Sequence, residues 1–501
     1  MQLLTPLLAI LLCAGPSESS DPCPPPSILF CGAAGSIFGS CHLLDTGKEK
    51  VLLDCGLFQE EDLADLDVDQ LNRELLFDPR AIDAVFITHA HADHVGKLPW
   101  LVKNGFSGPV YCTPVTAELS ELMLELYAWI ISQESGLYGA EEVSRALRLI
   151  STRPEGSWFA TPGGTRARFL ETGHILGAAM VELRWELGEE EHSLVYTGDL
   201  GNPDSPLLRP GRPLPPVRVL VVESTYGDRL HSDYARDMDL FRNILNDTLS
   251  RGGKVLIPSY VLSRSQKVVY HINELVENGL IDVDFPVYVD SVYANKISAV
   301  YRRHPELYDA ESQAAIREGD RPLSFRGLRE YRPNEKIRGP AVIIAPSGAT
   351  TTGKILDHLA RYLADSRSAV IFVGYQPEGG LGRDILQGKG SVLVDGRRVP
   401  VRASSHYLGS FSGHPDYSQI LDWLRAGARP GRAFVVHGQP SSAENLARLL
   451  REELNIPVQV PGYGECFSLD SPLPTVPRDN KSPGLTDPGI APRGIEPLSP
   501  D

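Results

Sequence analysis

The chain contains no Cys-x-x-Cys pair, only four methionines and, beyond its first 14 residues, no long apolar run. Each absence excludes something. Without paired-cysteine spacing, the seven cysteines (Cys13, Cys23, Cys31, Cys41, Cys55, Cys112 and Cys466) give neither a thiolate metal site nor a disulfide framework. Their odd number, and the apolar runs around Cys31 and Cys55, predict buried free thiols. The one apolar run, Leu3 to Ala14, is too short to span a bilayer comfortably. Basic charge is also scarce. A formal net charge of -16 excludes indiscriminate nucleic-acid binding by the whole surface. The deficit is uneven, because residues 229–400 hold 24 Lys and Arg against 21 Asp and Glu. Much of the acidic excess sits in Glu60 to Asp78, which reads as an exposed acidic helix.

What remains is an ordinary globular composition, 42% hydrophobic and 22% charged, over 501 residues. That length suits two or three domains with a full core. Residues 1–26 stand apart, an apolar stretch followed by Pro and Ser. They read either as a secretory leader, though no Lys or Arg precedes the apolar run, or as a disordered extension of a cytoplasmic enzyme. Residues 469–501 are rich in Pro, Ser, Gly and Asp, a composition that favours a disordered tail.

The densest chemistry lies in residues 85–96, VFITHAHADHVG. A short apolar run, Ile82 to Thr88, reads as a buried strand. His89, His91, Asp93 and His94 follow it within six residues. Val95, Leu98, Trp100, Leu101 and Val102 then repeat with helical period. Three imidazoles and a carboxylate on one strand-to-helix loop serve no packing purpose. They are the nitrogen and oxygen donors that suit zinc, and alternate residues of an extended loop can face two ions.

Other short strands end in a chemically capable residue. LLDCGLFQ ends on Asp54, SLVYTGDLG on Asp199 and VRVLVVESTYG on Glu223. His174 lies in a Gly-flanked loop, His414 in SFSGHPD, and His437 directly after the apolar run of AFVVHGQ. Three strands closing on carboxylates predict one rim of a sheet, where α/β folds build their sites. His42 to Leu44 and Val51 to Leu53 predict a hairpin, and Thr116 to Ile150 reads as helical. Residues 229–400 read as a second α/β unit, with strands at Lys254 to Ile257, Pro286 to Val289, Ala341 to Ala345 and Ala369 to Val373. Its loop Pro346 to Lys354 is small-residue and could hold a phosphate on backbone N–H groups, though its spacing is not that of a Walker loop.

His89-Ala90-His91-Ala92-Asp93-His94 resembles the His-x-His-x-Asp-His motif of the metallo-β-lactamase superfamily. The wider set, including FCGAAGSIFGSCHLL, TGHILGAA, VYTGDLG, VVESTYGDR, FVGYQPEGGLGRDIL and FSGHPD, resembles its β-CASP branch of nucleic-acid-processing nucleases from about Ser27 to Ser468. The resemblance implies an α/β fold, an αββα sandwich carrying an inserted β-CASP domain. The expected division is a leader at 1–26, the metallo-β-lactamase domain at 27–228 and 401–468, the insert at 229–400 and a tail at 469–501.

By the same resemblance one Zn2+ takes His89, His91, His174 and Asp199, and a second takes Asp93, His94, Asp199 and His437. Asp54 supports the site, and Asp93, Glu223 and His414 carry the catalytic expectation, His414 as the acid and Glu223 orienting its ring. Arg264, Ser347, Lys354 and Arg383 are the substrate-contact candidates. The pattern departs from the family where its usual Ser-Ser-Gly-Met reads Pro346-Ser347-Gly348-Ala349 and its Gly-Arg-Thr-Gln reads Ser263-Arg264-Ser265-Gln266. The implied activity is a zinc-dependent ribonuclease acting on single-stranded RNA, with hydroxide as nucleophile and 5′-phosphate and 3′-hydroxyl products. A small-molecule metallo-hydrolase and a non-catalytic scaffold are the alternatives. Cytoplasmic action, a homodimer and no membrane span complete the expectations, with secretion the alternative if the leader is a signal.

Overall fold

The computed structural model describes residues 23–59, 67–281, 285–333, 335–377 and 379–471. The expected leader up to position 22, residues 60–66 of the acidic stretch and the expected tail from position 472 lie outside the described residues. Within the acidic stretch a short helix, Val68–Arg73, buries no residue. Among the described residues no helix is long and apolar enough to cross a membrane.

Two seven-stranded sheets face each other. The first runs Cys466–Ser468, Ser27–Phe30, His42–Asp45, Lys50–Leu53, Ala84–Phe86, Val110–Cys112, Ile150–Thr152 from edge to edge. The second runs Val458–Gln459, Arg432–Val436, Val219–Glu223, Glu190–Tyr196, Ala179–Leu187, Arg166–Glu171, Phe159–Ala160. Each is antiparallel in one half and parallel in the other. Alternation along the strands sends Phe30, Leu44, Leu53 and Phe86 inward from one sheet and Phe169, Val181, Tyr196, Val221 and Phe434 from the other. Phe30 and Phe434 meet at 5.2 Å between ring centroids. Each such ring contributes roughly 1.5–3 kcal/mol on full burial. The outer faces are covered by helices, Leu98–Lys103 and Pro114–Glu134 over the first sheet and Tyr417–Ala426 and Pro440–Leu454 over the second. The result is the expected αββα sandwich.

A third sheet of six strands, all parallel, runs Leu328–Glu330, Val287–Val289, Ala341–Ala345, Lys254–Pro258, Ala369–Phe372, Ser404–Tyr407. Its four inner strands are largely apolar because helices cover both faces, while the edge strands Leu328–Glu330 and Ser404–Tyr407 are polar. One of its cores is continuous with Val115, Leu119 and Met123 of the sandwich, so the two lobes share packing.

Two local readings differ from the structure. The helical stretch after His94 is two short helices, Ala92–Val95 and Leu98–Lys103. Lys97 sits at the break, and its ammonium donates to the carbonyls of Leu71 and Glu74 at 2.9 and 2.7 Å. The stretch Thr116 to Ile150 is likewise divided into Pro114–Glu134 and Ala140–Leu147. Gly136 in the left-handed region turns the chain, and the Glu142 carboxylate accepts from Gly139 N–H at 2.9 Å to start the second helix.

Candidate metal centre

The carboxylates expected on one rim come from both sheets. Asp54 follows a strand of the first, while Asp199 and Glu223 belong to the second. The sandwich brings these ends together, so the site is a seam between two sheets rather than the edge of one. His89, His91, Asp93 and His94 enter from the first sheet, and His174 and His437 from loops of the second.

Close approach dictates several local residues. A side chain on Gly56 would lie 1.6 Å from the Asp93 carbonyl oxygen, so only glycine fits under the metal-type loop. Gly198, at φ 52°, packs its bare Cα against Thr88 beside His89. His437 itself has φ 50° and Asp54 φ 59°, conformations that cost non-glycine residues about 1–3 kcal/mol each. Hydrogen bonds hold them there. His437 N–H donates to the Ala33 carbonyl at 2.7 Å, and Asp54 accepts from Thr88 N–H at 2.7 Å, Thr88 Oγ1 at 2.8 Å and Tyr196 OH at 2.9 Å.

Two clusters form around Asp199, a residue 2% exposed. Its Oδ2 lies 3.4 Å from His89 Nε2 and 3.5 Å from His174 Nε2. His91 Nδ1 completes that group, 3.0 Å from His89 Nε2 and 3.3 Å from His174 Nε2. The other oxygen, Oδ1, lies 3.2 Å from His94 Nε2 and 3.4 Å from His437 Nε2. Asp93 Oδ2 closes the second group at 3.6 Å from His94 Nε2 and 3.4 Å from His437 Nε2. All seven residues expected as ligands are therefore gathered, His89, His91, His174 and Asp199 in one group and Asp93, His94 and His437 in another, with Asp199 Oδ1 close to the second.

The donor chemistry fits metal ions. Three ring nitrogens converge at His91, whose Nδ1 carries either one proton or one lone pair and so cannot make a good hydrogen bond to both His89 Nε2 and His174 Nε2. Asp199 Oδ1 is buried and, despite the nearby His94 and His437 nitrogens, has no well-aligned hydrogen-bond partner among the described residues. A cation in each cluster satisfies these lone pairs together. Protonation agrees. Burial, then the charge of His94, pushes His89 down to about 3, and burial pushes His91 down to about 4 and His174 well below its ordinary value. These rings are neutral at physiological pH, the form that ligates. Burial raises Asp93 and Asp199, but neighbouring histidines (His94 first for Asp93, His437 first for Asp199) outweigh it and keep both carboxylates ionised. Asp54 stands behind the cluster as expected, 2.7 Å from His94 Nδ1, which fixes that ring with Nε2 toward the site. Thr225 Oγ1 does the same for His437 Nδ1 at 3.0 Å.

His414 lies beside the first cluster, its Nδ1 3.0 and 3.1 Å from the Glu223 oxygens and 3.9 Å from Asp199 Oδ2. Glu223 is fully buried and also accepts from Leu200 N–H at 2.7 Å. The rest of the HPD motif is structural. Asp416 caps the helix Tyr417–Ala426 by accepting from Gln419 N–H at 3.0 Å.

The four substrate-contact candidates lie around the strand ends of the third sheet. Arg264 donates to the Val373 carbonyl, and Arg383 lies 5.9 Å over the Tyr375 ring. Ser347 Oγ accepts from Thr351 N–H at 3.3 Å, closing the small-residue loop on itself. Lys354 begins the helix Lys354–Tyr362 with its side chain exposed. Loop Ser347–Gly348 is tied to the Tyr375 loop by Gln376 Nε2, which donates to the Gly348 carbonyl at 2.8 Å.

Sequence reasoning passed over Thr88, Tyr196, Thr225 and Lys267. The first three orient ligands or Asp54, and a Thr or Tyr in a strand carries no mark of that use. Lys267 is buried, with its ammonium lacking a hydrogen-bond partner among the described residues. Burial and the nearby Arg264 push it down to about 7. A lone Lys in a helical pattern reads as a solvated face, so its burial had no signal.

Comparisons with known proteins agree with this geometry. The model of the metallo-beta-lactamase superfamily matches residues 34–259, that of the Beta-Casp domain residues 265–385, and that of the Zn-dependent metallo-hydrolase RNA specificity domain residues 398–461. A ribonuclease of Thermus thermophilus is 39% identical over 426 residues, spanning 84% of this chain and 94% of its own. The transcription termination factor FttA of Methanocaldococcus jannaschii is 31% identical over 459 residues, 86% of this chain and 70% of its own. A solved protein of unknown function from Enterococcus faecalis aligns with a TM-score of 0.52 over 88% of this chain and 99% of its own, at 16% identity, a likeness of fold. The family models together match most of residues 34–461. The chain belongs to the β-CASP branch of the metallo-β-lactamase superfamily of metal-dependent hydrolases.

Proposed function

We propose that the protein is a ribonuclease that uses two zinc ions to hydrolyse phosphodiester bonds of single-stranded RNA, leaving 5′-phosphate and 3′-hydroxyl ends. The observation that carries this reading is the pair of donor clusters sharing Asp199 with the Glu223–His414 couple at their side. His89, His91, His174 and Asp199 would hold one ion, and Asp93, His94, Asp199 and His437 the other. Bound zinc lowers the pKa of water toward neutrality and offsets charge on a phosphate.

The chain's own groups do the rest. His89, His91 and His174 offer neutral nitrogens and Asp93 and Asp199 stay ionised, whereas the carboxylates around His94 and His437 favour their protonated forms, so a metal ion at the second cluster would displace protons from those two rings. Glu223 occupies Nδ1 of His414. That leaves Nε2 as the nitrogen free to give a proton to the leaving 3′ oxygen. The insert, continuous in packing with the sandwich, borders the metal seam and supplies the wall of a groove. We assign residues from about 229 to the insert and, by its pairing, the strand Ser404–Tyr407 as well.

Filled ligand positions argue against a non-catalytic scaffold. The matches to the ribonuclease of Thermus thermophilus and to an RNA specificity domain favour RNA over a small-molecule substrate. Cytoplasmic action goes with an RNA substrate, and sequencing the N-terminus of the mature protein checks it against export. Sedimentation of the same preparation checks the homodimer. The direct test is purified full-length protein on end-labelled single-stranded RNA, beside a chromogenic lactam and a thioester. Cleavage of RNA alone, with ends that accept ligation through a 5′-phosphate, supports the reading. Turnover of the lactam or thioester with RNA left intact overturns it.

A further inference from the structure

Two tyrosines are tied to the Glu223–His414 couple by the chain itself. Tyr226 follows Glu223 by three residues, and Tyr407 precedes His414 by seven. Tyr407 ends the edge strand Ser404–Tyr407 of the third sheet. The link onward to His414 is short and anchored, with Leu408 and Phe411 buried on either side of the turn Gly409–Phe411. The side chains of the two tyrosines meet across the seam between the lobes. The Tyr226 ring centroid lies 6.3 Å from that of His414 and 4.7 Å from that of His231.

Guanidinium groups alternate with these rings. Arg229 lies 5.8 Å over Tyr226 while pairing with Asp228 at 2.8 Å, and it neighbours Tyr375. Arg264 neighbours Tyr407, and Arg383 covers Tyr375. Tyr407 is 44% exposed, a large ring that the core leaves uncovered. One exposed ring, Tyr407, beside the half-buried rings of Tyr226 and Tyr375 and interleaved with Arg, next to a centre that would cut a polyanion, matches how proteins hold single strands.

We propose that Tyr226 and Tyr407 form a stacking platform for the base immediately 5′ to the scissile bond. This rests on the ribonuclease reading above. The platform is fixed to His414, whose free nitrogen faces the leaving 3′ oxygen, and that oxygen belongs to the nucleotide 5′ to the cut. A stacked base must be unpaired, so the platform selects single strands without reading sequence, since every base offers a π face.

The test uses a short RNA whose cleavage site has been mapped with the wild-type protein. An abasic residue replaces the nucleotide 5′ to the cut, or one several positions away. Wild-type kcat/KM falls roughly 5- to 150-fold for the adjacent abasic site and little for the remote one, the range that one stacked base supplies. Tyr407→Ala loses a similar factor on the intact RNA and nothing further on the adjacent abasic RNA. Tyr407→Phe, which keeps the ring, stays within about twofold of wild type on both, an outcome that a purely structural hydroxyl would not give. Metal content and melting temperature are compared throughout, and Tyr407→Leu replaces Tyr407→Ala if the latter does not fold. An abasic penalty that persists undiminished in Tyr407→Ala, or that is absent in wild type, overturns the platform and leaves the ribonuclease reading intact. A wild-type protein that cuts no RNA removes the ribonuclease reading and the platform with it.

Discussion

The Glu223 carboxylate, fully buried, sits 3.0 and 3.1 Å from Nδ1 of His414. Glu223 ends a strand and His414 lies in a loop 191 positions further on, and the contact engages Nδ1 of the imidazole rather than Nε2. If His414 protonates the leaving oxygen, His414→Ala slows cleavage of RNA about 10²–10⁴-fold. A substrate whose leaving group needs no proton, such as bis-p-nitrophenyl phosphate, loses far less. Glu223→Gln keeps the contact but lets the ring turn over, and falls between. Equal losses on both substrates would remove His414 from the proton-transfer role.

Asp54 concerns metal affinity. It accepts from Thr88 and Tyr196 and holds His94 Nδ1 at 2.7 Å. In Asp54→Asn one of those donors meets an amide N–H instead of an oxygen. Such outer partners of metal ligands are worth about 10–100-fold in affinity. A competitive chelator titration should show one class of bound metal weakened by that factor, with the other class unchanged. Uniform weakening of both classes would mean a general loss of structure.

Lys267 offers a stability test with a defined sign. Its ordinary value of 10.5 is pushed down to about 7 by burial and by Arg264. Between those pH values the unfolded chain binds the proton and the folded one does not, so this group's contribution to stability rises with pH. Below about 7 its full penalty is present. Lys267→Met removes the penalty, so the variant is more stable than wild type at pH 6, and the gap narrows by up to about 1.4 kcal/mol per pH unit toward pH 10. Paired urea unfolding curves at pH 6 and 9.5 measure the gap. A gap that is constant with pH would show that the ammonium is neutralised in a way the structure does not contain.

The candidate ligand set was readable because imidazoles and carboxylates clustered after apolar runs have no packing use. His89 and His91 lie in the turn after Ala84–Phe86, Asp93 and His94 in the short helix Ala92–Val95 that continues it, and Asp199 and His437 each follow a strand. The sequence did not reveal that Asp54 and Asp199 rise from different sheets, since a strand end looks the same in either. The break at Lys97 had local cues in Gly96, which ends one helix, and Pro99, which begins the next, while the carbonyls of Leu71 and Glu74 that take up the Lys97 ammonium come near only in the tertiary fold. The break near Gly136 likewise had a local cue, a Ser-Gly pair, and in both places the helical period outweighed it. Tyr407 was passed over for the same reason as Lys267, that a single side chain's exposure is set by neighbours hundreds of residues away.

The central claim is that cleavage runs on metal held jointly by the two clusters around Asp199. The most direct measurement strips the protein with chelator and follows RNA cleavage as Zn2+ is returned in known equivalents. Activity should be absent in the stripped protein, rise mainly with the second equivalent per chain and level off there, while Asp199→Ala stays inactive throughout. Full cleavage by the stripped protein, or a plateau reached at one equivalent, would contradict the account.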